Sequence, residues 1–168
     1  MSLPGMSRSL SVKSRKARLV IAGTIAALSV LAPLQALADE ITVTIKRVKS
    51  LDVIDAASQP DFMARVTIAG KPFETKPIMN QADIRPTDWV FSASVQAGTH
   101  DVKIQIVDKD VAVNDSVDIN RIDAKRDLDF AVNTRRCTVT GFSSSYRCGD
   151  SIVREGQEKK RAEITFSV

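Results

Sequence analysis

Short runs of apolar–polar alternation recur along this chain, and they leave few folds open to it. His100-Asp-Val-Lys-Ile-Gln-Ile-Val107 puts Val102, Ile104 and Ile106 on one face, the period of a half-buried strand. Ile41-Thr-Val-Thr-Ile45 and Trp89-Val-Phe-Ser-Ala-Ser-Val95 repeat that pattern. Met63–Ile68, Leu128–Val132, Cys137–Thr140 and Ala162–Val168 read as further strands, with Gly, Pro and Asp-rich turns between them. Strands this short, at this spacing, predict an all-β protein built as an antiparallel β-sandwich. A helical stripe of any length is absent, and Ser151–Arg161 is the only stretch that could form one short helix.

A different kind of sequence stands ahead of the strands. Arg8, Lys13, Arg15, Lys16 and Arg18 form a basic leader without an acid. The apolar run Leu19–Leu34 follows, and Ala36-Leu37-Ala38 closes it with a small-x-small pattern just before Asp39 and Glu40. That order belongs to a secretory signal peptide. The alternative is a membrane anchor, but a run interrupted by Gly23 and Pro33 is short of the roughly 20 apolar residues that cross a hydrocarbon core. The expectation is a cleaved signal over 1–38, one domain over 39–168, and an exported product, periplasmic or extracellular.

The leader also accounts for the charge. The chain has 24 Lys and Arg against 20 Asp and Glu, and five of the cations but none of the acids lie in the leader. What remains is close to neutral, which gives no basis for a nucleic-acid partner. The two cysteines, Cys137 and Cys148, then lie in a compartment where disulfides persist. The residues between them read as a hairpin with a Ser-rich turn. A metal pair and a redox pair are the alternatives, but the spacing is too wide for C-x-x-C and no other soft ligand is near. A structural disulfide that pins an edge hairpin is expected.

The aspartates are the informative feature. Asp52, Asp55 and Asp61 fall between the first two strands, and Asp108 and Asp110 stand at the end of the strongest one. Asn114, Asp115 and Asp118 lie just beyond. Loops at one end of a sandwich can bring two such groups together, where the carboxylates would repel unless a hard cation held them. Ca²⁺ takes six to eight oxygen ligands from such groups. An EF-hand does not explain the spacing, because Asp108-Lys-Asp-Val-Ala-Val lacks the turn glycine and Ile119 stands where the closing Glu belongs. The competing reading is that Asp is common in turns because its side chain caps local N–H groups.

Three segments, in order, resemble the C2 domain, the calcium-dependent membrane-binding β-sandwich module. Asp55-Ala-Ala-Ser-Gln-Pro-Asp61-Phe-Met-Ala-Arg-Val66 resembles the first calcium loop, with two aspartates six apart and the second opening a strand. Glu74-Thr75-Lys76 and Arg85-Pro86-Thr-Asp-Trp89-Val-Phe91 resemble the segments around the second loop. Val102-Lys-Ile-Gln-Ile-Val-Asp108-Lys-Asp110-Val-Ala-Val-Asn114-Asp115 resembles the third. Arg85 replaces the family's usual Asn, Trp89 follows Pro86 by three rather than two, and Asp115 lies one residue short of the commonest spacing. The likeness spans residues 41–122. It implies a Ca²⁺ site made by Asp55, Asp61, Asp108, Asp110 and Asp115, with Val111, Ala112 and Val113 as a membrane tip. Anionic phospholipid or a membrane surface would be the partner. Lys71 and Lys76 would suit an anionic surface, although lysine also serves sandwich edges by discouraging strand pairing.

An enzyme has little to work with here. His100 is the single histidine, in a turn that opens a strand, and Ser143-Ser144-Ser145 has no base that can be assigned to it. No G-x-S-x-G, H-E-x-x-H or Gly-rich phosphate loop is present. The expectation is a non-enzymatic protein. Two functions stay open: a calcium-dependent module that docks on a membrane surface or anionic ligand, and a calcium-free sandwich that serves protein–protein interaction or envelope structure.

Overall fold

The alternating runs become strands, and strands only, in a computed structural model that describes residues 38–54, 58–110 and 114–168. In chain order these are Asp39–Ser50 (β1), Phe62–Ile68 (β2), Lys71–Glu74 (β3), Asp83–Ile84 (β4), Val90–Val95 (β5) and Thr99–Asp108 (β6). Asp115–Val117 (β7), Leu128–Asn133 (β8), Thr138–Thr140 (β9), Tyr146–Arg147 (β10), Ile152–Glu155 (β11) and Ala162–Ser167 (β12) follow. The expected leader over 1–38 falls outside the described residues but for Ala38, as do Asp55 and the expected tip Val111, Ala112 and Val113.

All strand pairs are antiparallel and fall into two sheets. One runs β11-β12-β1-β4, with β5 also on β1; the other runs β10-β9-β8-β6-β2-β3, with β7 also on β6. The inward faces come from the alternation. Phe91, Ala93 and Val95 of β5 are buried, as are Val102, Ile104 and Ile106 of β6, Leu128, Phe130 and Val132 of β8, and Ile164 and Phe166 of β12. They form one continuous apolar core between the sheets. Strand β1 shows how the pattern is kept over a long run. Ile41, Val43 and Ile45 point inward, the pairing with β12 shifts between Ile45 and Arg47, and Val48 is the next buried residue. One extra residue there moves the inward set from odd to even positions, which is what a β-bulge does. The antiparallel sandwich expected from the alternation is therefore the fold.

The disulfide joins Cys137 to Cys148 with their Cα atoms 5.2 Å apart. It closes the β9–β10 hairpin, and β10 is the outermost strand of its sheet, so the bridge pins an edge hairpin as expected. The turn of that hairpin brings its backbone against β8: a Cβ on Gly141 would lie 2.9 Å from the Cα of Phe130, and the residue has φ +111°. Only glycine fits both conditions. The close approach drops Phe142 onto the core, 5.3 Å from Phe130 and 6.3 Å from Phe166 between ring centres.

Ser151–Arg161, the one stretch left open to a helix, does not form one. Ile152–Glu155 is instead strand β11, paired with β12 from Ile152 opposite Phe166 to Glu155 opposite Glu163. The reason lies in Gly156 and in Asp118. Glycine disfavours a helix interior by about 1 kcal/mol relative to alanine, and the space a Cβ would need at Gly156 is taken by the Asp118 carbonyl, 2.1 Å away. The Asp118 carboxylate then accepts the N–H groups of Gln157 at 2.8 Å and Glu158 at 2.6 Å. A long-range partner thus supplies the hydrogen bonds that a helix would have made internally.

Candidate functional site

The register of β2 on β6 decides where the aspartates go. Phe62 pairs with Asp108, so the loop that enters β2 ends beside the last residue of β6. The N–H of Asp61 donates to the Asp108 carboxylate at 2.6 Å, and the N–H of Lys109 donates to the Asp61 carbonyl at 2.9 Å. Asp108 lies on the inward-facing parity of β6 and is 1% exposed. A carboxylate that far from water needs donors or a cation around it.

A third segment joins them. Asn80, between β3 and β4, has φ +55° and directs its N–H onto the Asp61 carboxylate at 2.6 Å. Its own side-chain oxygen accepts the N–H of Gln59 at 3.2 Å. The hydroxyl of Thr75 accepts the N–H of Ala64 at 3.0 Å, which anchors the start of that segment on β2. Asp110 lies two residues past the end of β6 and is half-buried. Asp61 and Asp108 therefore meet at one end of the sandwich, with Asp110 two residues further along the chain, and all three side chains are hard oxygen donors of the kind a calcium ion takes. Among the described residues no group of three or more acidic, histidine or cysteine side chains is close enough to hold a metal by itself. Asp55, the remaining first-loop residue, lies outside the described residues.

The other aspartates are committed elsewhere. Asp115 pairs with Asp108 across the β6–β7 ladder, but its carboxylate accepts from the ammonium of Lys160. Asp52 forms a two-pronged ion pair with Arg161, at 3.0 Å to Nε and 2.8 Å to Nη2, and the Arg161 hydrogen bond lowers its pKa. Asp118 is wholly buried and accepts three backbone N–H groups, those of Asn120, Gln157 and Glu158. It is a structural cap that holds the β11–β12 turn. Reading the spacing alone groups Asp118 with its neighbours; only the burial separates it.

Two exposed apolar side chains stand in the loops that lead to the aspartates. Val53, in the β1–β2 loop, is 77% exposed, and Met79, next to Asn80, is 57% exposed. The ammonium of Lys71 sits 5.3 Å from the centre of the Phe73 ring at the edge strand β3. His100 meets the Gln96 carbonyl through Nε2 at 2.6 Å and so closes the β5–β6 turn. The residues that sequence reasoning missed are Phe142, Tyr146 and Arg154, a stacked group in the C-terminal third.

No family model and no curated protein matches the chain. Solved structures do resemble it. A C2 domain superposes with a TM-score of 0.50 at 15% identity, over 77% of this chain and 98% of that one. The two C2 domains of Extended-Synaptotagmin 2 give a TM-score of 0.52 at 13% identity, over 91% of this chain and 46% of that one. The described part of the chain has the C2-type β-sandwich fold.

Proposed function

We propose that this chain is an exported, non-enzymatic C2-like module that holds Ca²⁺ in its aspartate loops and docks on a membrane surface or another anionic ligand. The observation that carries the reading is the convergence of Asp61 and Asp108, joined at 2.6 Å across 47 residues, with Asp110 two residues on. Asp61, Asp108 and Asp110 would hold the ion together with Asp55, while Lys160 keeps the Asp115 carboxylate. A bound calcium supplies positive charge at an otherwise acidic end. The exposed side chains of Val53 and Met79 supply apolar contact beside it. Burying one such side chain fully in an interface contributes roughly 1.5–3 kcal/mol. The start of β1 at Asp39, just after Ala36-Leu37-Ala38, is in keeping with a leader that ends where the fold begins.

A second reading has its own observation. Lys160 and Arg161 take the carboxylates of Asp115 and Asp52, which is what a calcium-free sandwich would do to neutralise its own acids. Such a protein would serve protein–protein interaction or envelope structure. Thermal unfolding of the purified protein in calcium, in magnesium and in chelator, at fixed ionic strength, separates the two. A rise in the midpoint with calcium alone supports the first reading, and sedimentation with phosphatidylserine vesicles then tests docking. An unchanged midpoint at millimolar calcium supports the second.

A further inference from the structure

The sandwich carries a cleft of about 240 Å³ between the edge of one sheet and the edge of the other. The β9–β10 turn, strand β11 and the β7–β8 loop line it, and none of these belongs to the aspartate loops. Leu128, Phe142 and Ile122 supply apolar surface. Leu128 is buried to 2% exposure, whereas Ile122 is 55% exposed. Asp129 also reaches the cleft, and Lys103 lies 3.5 Å from its carboxylate and from that of Asp127.

Arg154 is the group that gives the cleft its chemistry. Its guanidinium carbon stands 4.2 Å from the centre of the Phe142 ring and 5.5 Å from that of Tyr146, and Nη2 donates to the Tyr146 hydroxyl at 3.2 Å. Ring faces and a neutral hydroxyl hold the cation in place without cancelling its charge. Arg47, Arg65, Arg121 and Arg161 each meet a carboxylate within ion-pair distance. Arg154, like Arg126, Arg135, Arg136 and Arg147, meets none among the described residues, and of these it is the one that lines the cleft. A guanidinium offers five N–H donors in a planar fork that matches a carboxylate, and here a single side-chain bond uses one of them.

We infer that this cleft binds a small organic anion, with its carboxylate on Arg154 and a compact apolar body against Leu128, Phe142 and Ile122. The site is independent of the calcium reading, so the failure of either leaves the other standing. Phenylacetate is a suitable probe, and phenylacetamide is its neutral match. Titrating the ¹⁵N-labelled protein with phenylacetate should shift the amides of residues 120–122 and 141–143, with a dissociation constant on the order of a millimolar. Phenylacetamide should bind at least tenfold more weakly. Arg154→Met, which keeps the stem on the rings, should weaken phenylacetate at least tenfold. Ile122→Ser, at a position 55% exposed, should weaken it several-fold. The inference is overturned if the amide binds as well as the acid or if the shifts fall away from these residues. It is equally overturned if inorganic sulfate competes as strongly as phenylacetate, or if both variants bind phenylacetate like the parent.

Discussion

The N–H of Asp61 donates to the buried carboxylate of Asp108 at 2.6 Å and so ties the loop that enters β2 to the end of β6. Both residues are therefore held by the same contact that would bring two calcium ligands together, which makes Asp108 the first position to change.

Asp108→Asn preserves the shape of the side chain and an acceptor for the Asp61 N–H but removes the charge. It should abolish any calcium-induced rise in the unfolding midpoint, a rise that amounts to about 2.7 kcal/mol at a hundredfold excess over the dissociation constant. Asp108→Ala should in addition cost about 1–3 kcal/mol without calcium, because a buried N–H loses its acceptor. Differential scanning calorimetry in calcium and in chelator measures both effects. An undiminished calcium response in Asp108→Asn would remove this residue from the site.

Asp118 is the stronger structural case. Its carboxylate accepts three backbone N–H groups at a position with no exposure. Asp118→Ala should destabilise the protein by about 2–4 kcal/mol, since one buried and two part-buried donors lose their acceptor together. It should leave the calcium response of the surviving folded fraction intact. Urea unfolding at neutral pH reads the loss, and a change under about 1 kcal/mol, the scale of one ordinary hydrogen bond, would show that the turn repacks around the gap.

The Cys137–Cys148 bridge closes a loop of sequence separation 11 at the edge of its sheet. In the chain-entropy picture, that closure contributes about 3 kcal/mol. Replacing both cysteines with serine should lower the unfolding midpoint by several degrees or more. Fluorescence of Trp89, which lies in the core away from the hairpin, should stay native-like below that midpoint. Loss of the native Trp89 signal at room temperature would mean that the hairpin is needed for the whole sandwich.

Two surface ion pairs contribute a pH-dependent part of the stability. Hydrogen bonding from Arg161 lowers the pKa of Asp52, and hydrogen bonding from Arg47 lowers that of Asp83. A carboxyl whose folded pKa lies below its unfolded value of about 3.9 stabilises the fold above that value. The contribution is lost as pH falls through the depressed folded pKa. Arg161→Gln should therefore lower the melting temperature modestly at neutral pH, and its difference from the parent should shrink below about pH 4. Melting curves from strongly acidic to neutral pH test this; a difference that widens in acid would refute the assignment.

Much of the fold was legible because it rests on local chemistry. Alternation in His100–Val107, Ile41–Ile45 and Trp89–Val95 places apolar side chains on one face of a strand whatever pairs with it. The hairpin between Cys137 and Cys148 is likewise written in its own few residues. Strands β3, β4 and β7 were not legible, since two to four residues carry no period and exist only because a neighbour's edge supplies their hydrogen bonds. Strand β11 was left open between strand and helix for a related reason. Its pairing with β12 and the carboxylate of Asp118, far away in sequence, outweigh any helical tendency of Ser151–Arg161.

The candidate site divides along the same line. The sequence alone determined which aspartates stand in loops between strands, because turn chemistry and alternation are properties of neighbouring residues. Which carboxylates meet was decided by tertiary structure. Register between β2 and β6 brings Asp61 to Asp108, whereas the β11–β12 turn delivers Lys160 to Asp115 and Arg161 to Asp52. The same packing buries Asp118 and stacks Arg154 on Phe142. A charge acquires its role from the partner that folding brings within a few ångströms, and residues separated by tens of positions carry no local trace of that partner.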